Sequence, residues 1–160
     1  MTKIFIFLTE TIKRFYPEKR GDIQISFAGG DTEEQRRSIE SIHKMYNPLA
    51  TSDNPIYKEK AVVICDKPID QKAESKLEEF KKGYPYLVEN NQLFELEATS
   101  LEEYYPEEWK KTYAESRELG KKGEKTTYAE EVASQITKEQ FEKEMPILHE
   151  ALNRCWELSY

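Results

Sequence analysis

Hydrophobic positions along this chain change period several times, and each change marks a predicted element. The unbroken run Ala61-Val62-Val63-Ile64-Cys65 ends at Asp66, with Pro68 close behind. Consecutive apolar residues rich in β-branching predict a strand buried on both faces, as in a parallel sheet flanked by helices. Lys3 to Leu8 is a similar, nearly continuous run closed by Thr9-Glu10, which predicts a second buried strand with Glu10 at its carboxyl end. Ile23 to Phe27 and Gln92 to Glu97 alternate apolar and polar residues, the period of strands with one better-buried face.

Spacings of three and four predict the helices between these strands. Ile12, Phe15 and Tyr16 suggest a short helix before Pro17, and Ile39, Ile42, Met45 and Tyr46 form a stripe opened by Asp31 with Glu34. Ala73, Leu77 and Phe80 line a helix that follows Asp70 and ends at Gly83, whereas Tyr84 to Leu87 reads as an extended piece. Pro106 suits the first turn of a helix running through Trp109 and Tyr113, and Tyr128, Ala129, Val132 and Ala133 make another apolar face. Thr137 with Gln140 is a capping box opening the last helix, which carries Leu148, Leu152 and Trp156 and which Pro146 should kink or restart. The expected fold is α/β: a mostly parallel, Rossmann-like sheet of about four strands flanked by helices, with a helical carboxyl-terminal third.

Composition then narrows the picture. At 160 residues the chain suits a single domain spanning 1–160, or one cut from a longer protein, and 38% hydrophobic content supports a proper core. No apolar run approaches membrane length and no signal-peptide pattern is present, so the expected location is cytoplasmic, away from membranes. The cysteines, Cys65 and Cys155, have no metal-type spacing and read as buried free thiols. A net charge of −7 argues against a domain that grips nucleic acid by its overall field. It does not exclude nucleic-acid chemistry, because a divalent cation held by carboxylates reverses the local sign.

Candidate chemistry gathers at strand ends, where open α/β sheets bind ligands. The carboxylates there are Glu10, Asp66 and Glu102 or Glu103, with Asp70 nearby. If they converged, hard oxygen ligands would select Mg²⁺ or Mn²⁺ and activate water for phosphodiester cleavage, with Lys125 neutralising developing charge. The plainer alternative has equal weight for Asp66, which could simply cap a loop or helix, and the many other acidic residues would be solvated surface. Gly29-Gly30 before a helix reads as a tight turn rather than a phosphate cradle, and His43 as structural or exposed. Gly120 to Thr126 superficially resembles a nucleotide-binding P-loop, but Glu124 replaces a required glycine and no strand precedes it.

The order of Glu10, Gly29-Gly30, Asp66, Leu101-Glu102-Glu103-Tyr104-Tyr105-Pro106, and Lys125 before Tyr128 to Ala133 resembles the topoisomerase–primase (Toprim) domain of the overcoming-lysogenization-defect (OLD) family of ATP-dependent nucleases. Ile136 to Glu142 and the apolar helix after it are also similar to the tail of that domain. The resemblance implies a Mg²⁺- or Mn²⁺-dependent DNA endonuclease or nickase, with RNA as another substrate, partnered by an ATPase domain in cis or in trans and linked to phage defence. It implies Glu10 as metal ligand or general base, Asp66 and Glu102 as metal ligands, and Lys125 as the charge-stabilising lysine. This sequence departs from the family pattern where Pro68 stands in place of a second aspartate, which weakens a two-metal site, and where Arg14 replaces an often acidic residue. Asp70 is the candidate replacement for the lost carboxylate. The alternative implied by those departures is a degenerate, non-catalytic Toprim-fold module for assembly or sensing; an unrelated α/β interaction domain is a third reading.

Overall fold

A computed structural model describes residues 3–25 and 60–159. Among them the chain is α/β and largely helical. Strand β1, Val63–Cys65, pairs in parallel with β2, Leu93–Glu95, in the register Val63 with Leu93, Ile64 with Phe94 and Cys65 with Glu95. Parallel neighbours require a crossover, here supplied by helices α2, Gln71–Gly83, and α3, Pro85–Glu89. Cys65 packs with Leu77, Phe80 and Leu87 on the crossover side, while Ile64 packs against the main core. Both faces are therefore covered, which explains why the strand is an unbroken apolar run.

The main core lies among α1, Lys3–Phe15, and the carboxyl-terminal helices α5, Lys125–Gln135, α6, Lys138–Glu144, and α7, Pro146–Ser159. Helix α4, Tyr113–Lys122, precedes them and ends at Gly123, whose φ of 74° is the left-handed conformation that closes a helix without a Cβ penalty. Thr112 and Thr137 make capping boxes with Glu115 and Gln140. Helices α1 and α5 run side by side in the same direction. The Arg14 guanidinium near the end of α1 donates to the carbonyls of Ala133 and Ile136 at the end of α5, whereas Lys3 and Lys125 meet at their beginnings.

Several expectations need correction. The run from Ile4 to Leu8 is the first half of α1 rather than a strand, so Glu10 lies inside a helix and not at a strand end. Ile6, Phe7, Leu8, Thr11 and Ile12 are buried along α1, and that spacing continues the apolar face past Thr9-Glu10. Residues 23–25 form no regular element, and Ser26-Phe27, Gly29-Gly30, the helix opened by Asp31 and His43 lie outside the described residues. Among the described residues the sheet has two strands. Tyr84 to Leu87 turns into α3 because Pro85 occupies a first-turn position. Pro106 opens only a turn; the next helix waits for Thr112, whose hydroxyl accepts from the Glu115 amide. No helix among the described residues is long and apolar enough to cross a membrane.

Cys65 is buried, and burial followed by the charges of Glu95 and Asp66 pushes its thiol up to about 12. Reaction requires the thiolate. Native protein at pH 8 should therefore resist iodoacetamide at Cys65 and label there only after unfolding, as read by peptide mass spectrometry. Prompt labelling of Cys65 in the folded protein would contradict the packing of β1 on α2.

Candidate functional site

Parallel pairing puts the carboxyl ends of β1 and β2 at one edge. Asp66 is the first residue beyond β1, and the chain beyond β2 passes through Leu96 into the single-turn helix Leu101–Glu103. That connection is tied by its own side chains. Tyr104 Oη accepts from the Ala98 amide at 2.6 Å, and the Glu103 carboxylate accepts from the hydroxyls of Thr99 and Ser100 at 3.1 and 3.0 Å. Glu103 thus braces the loop, and its neighbour Glu102 is the one that turns inward.

The Glu102 carboxylate is fully buried. Lys3 Nζ lies 2.5 Å from Oε2, and the Ser116 hydroxyl donates to the same oxygen at 2.9 Å. Oε1 is buried without a hydrogen-bond partner among the described residues. Burial alone would raise the pKa of this carboxyl. The hydrogen bond and charge of Lys3, the local backbone and Ser116 overcome that effect and hold it below its ordinary value. The Glu102 carbonyl in turn accepts from the Lys111 amide at 2.9 Å, fixing the backbone beneath the side chain.

Asp66, Lys3 and Lys125 complete the cluster. Asp66 keeps contact with solvent, yet partial desolvation raises its carboxyl pKa; Glu102 acts in the same direction, while Lys3 and Lys125 oppose it. Lys125, first residue of α5, is pushed down by burial and by Lys3 and pulled up by Glu102 and Asp66, with a net lowering. Its stem lies over Gly120 of α4, where an added Cβ would come within 2.9 Å of Lys125 Cε. The Tyr105 hydroxyl is also buried without a partner among the described residues, and burial together with Glu102 raises its pKa. Lys125 opens α5, so the positive dipole end of that helix lies beside the cluster.

Of the expected site residues, Asp66, Glu102 and Lys125 are therefore brought into mutual electrostatic reach, and Glu10 and Asp70 are placed elsewhere. Glu10 is seven residues beyond Lys3 on α1, about 10 Å along the axis, and its carboxylate lies 3.4 Å from Lys13. Asp70 is the amino-terminal cap of α2: its Oδ1 accepts from the Ala73 amide at 2.8 Å. That capping geometry explains the register of Asp70, which serves the crossover helix. Among the described residues no group of three or more His, Cys, Asp or Glu side chains is gathered as a ready metal cage.

Lys3 and Ser116 were missed in the sequence. Lys3 merely opened the run read as a strand, but on a helix Lys3, Phe7 and Arg14 fall on one face, the face that meets α5. Ser116 is the buried residue of the otherwise well-solvated α4, a small polar residue that only a packed carboxylate explains. Comparison with known proteins finds no matching family model, no matching curated protein and no matching solved structure.

Proposed function

We propose that this cluster is a phosphodiester-handling site, and that the chain is a Toprim-like nuclease domain cleaving or nicking DNA with Mg²⁺ under the control of an ATPase partner. One observation carries the reading: Asp66 stands at the carboxyl edge of a parallel β-α-β unit, with Glu102 and Lys125 within electrostatic reach of it. A larger Rossmann-like sheet belongs to the same reading, without the helical run at Ile4 to Leu8 as one of its strands.

The donor chemistry fits the ion. Mg²⁺ keeps several waters and commonly takes only one or two carboxylates together with substrate phosphate oxygens. Asp66 and the unpartnered Oε1 of Glu102 are hard oxygen donors of that kind and would hold it. When bound, the ion supplies charge neutralisation at the phosphate and a more acidic bound water. Ser116 fixes the Glu102 rotamer so that Oε1 remains available. Lys125, together with the amino end of α5, offers positive potential where phosphate oxygens gain charge.

The second reading, a non-catalytic module, is favoured by the ion pair that Lys3 already makes with Glu102 and by Pro68 in place of a second aspartate. Nicking of supercoiled plasmid in Mg²⁺ or Mn²⁺ separates the two. Asp66→Asn, Glu102→Gln and Lys125→Met should each lower the nicking rate by about 100-fold or more if the cluster acts on the phosphate. Folded wild-type protein that leaves the plasmid intact would support the non-catalytic module, and nicking indifferent to all three changes would overturn the site.

A further inference from the structure

Charge arithmetic at the cluster poses a difficulty for any divalent ion. Asp66 and Glu102 bring two negative charges, and Lys3 and Lys125 bring two positive ones, so the ionised cluster is already balanced. A dication entering that arrangement meets two ammonium groups at close range. The two differ in what holds them. Lys125 faces both carboxylates from α5, whereas Lys3 makes the direct contact with Glu102 Oε2 and occupies the first described turn of α1. Its side chain is 15% exposed, so it has a route toward water that the fully buried carboxylate lacks.

We propose that Lys3 and a divalent cation are alternative partners of Glu102, with Lys3 acting as a tethered counter-ion that must withdraw when metal binds. The inference rests on the metal-dependent reading above. A buried carboxylate cannot stand uncompensated. The Lys3 ammonium meets that need on one oxygen, while Ser116 keeps the rotamer and Oε1 has no partner among the described residues. A dication held by Glu102 and Asp66 would supply the same compensation with a higher charge, and the Lys3 ammonium would then move outward on its flexible stem. Lys3 thereby sets the metal affinity of the site without being a ligand.

The test is calorimetric titration of the purified chain with MnCl₂, alongside the Mn²⁺-dependent shift in melting temperature. Lys3→Gln, which keeps an amide donor for Glu102 but removes the charge, should bind Mn²⁺ at least about tenfold more tightly than wild type. Lys3→Arg should bind no more tightly than wild type, and adding Glu102→Gln to Lys3→Gln should abolish the gain. Lys3→Gln that binds Mn²⁺ with wild-type affinity would overturn the competition while leaving the metal-dependent reading intact. Absence of Mn²⁺ binding in folded wild type and folded Lys3→Gln alike would overturn that reading and the competition with it.

Discussion

Lys3→Met should cost about 3 kcal/mol of folding stability in metal-free protein at pH 7, and Lys3→Met combined with Glu102→Met should regain most of it. The reason is the asymmetry of buried ion pairs. Removing one partner leaves a charge in a poorly solvated place, at about 3–5 kcal/mol, whereas replacing both by apolar groups of similar size is often neutral. Ser116 and Lys125 remain near Glu102, which puts the expected loss at the lower end. Denaturant unfolding of the two single variants and the double variant, read as a thermodynamic cycle, measures the coupling.

The pH dependence has a defined sign. In the wild type Lys3 is the largest opponent of the desolvation that burial imposes on Glu102, and the folded carboxyl lies below its ordinary value of 4.5. A depressed folded pKa contributes stability above the unfolded value and loses it as pH falls through the folded one. In Lys3→Met the desolvation is less opposed, so Glu102 takes up its proton more readily. The gap between variant and wild type should therefore narrow as pH drops below about 4.5. A gap unchanged between pH 7 and pH 3.5 would show that the Lys3 effect comes from packing rather than charge.

Phe141→Ala is the other large effect. Phe141 is fully buried, with ring centroids 6.2 Å from Phe7, 6.5 Å from Phe15 and 5.9 Å from His149. It is the point where α6 meets both α1 and α7, so the void left by truncation is lined by three elements that cannot all collapse together. The expected loss is about 3–5 kcal/mol, with Phe141→Leu markedly milder. Urea unfolding followed by circular dichroism should show a lower midpoint at an unchanged slope. A loss under about 1 kcal/mol would mean that α6 does not dock against α1.

Much of this architecture was legible wherever a local signal had a single physical meaning. The Thr137–Gln140 box, the break at Pro146, the α2 stripe ending at Gly83, and the strands Val63–Cys65 and Leu93–Glu95 all fall within stretches that the pattern marked. The run at Ile4 to Leu8 failed because a short continuous apolar stretch has no period of its own. Only its continuation through Thr11, Ile12 and Phe15 distinguishes helix from strand. That error carried Glu10 to a strand end and hid Lys3. The inward turn of Glu102 rather than Glu103 was illegible for a different reason: it depends on which carboxylate the Thr99 and Ser100 hydroxyls engage, and no spacing rule decides that.

The Arg14 clasp on the carbonyls of Ala133 and Ile136 makes α1 a lever. From Arg14 back to Lys3 the helix runs about 16 Å, so a tilt of about 5° at the clasp swings the far end by about 1.4 Å. A displacement of that size is enough to part an ammonium from a carboxylate oxygen. A tilt of this helix about the clasp is thus passed, as a larger displacement, to the charge that balances Glu102.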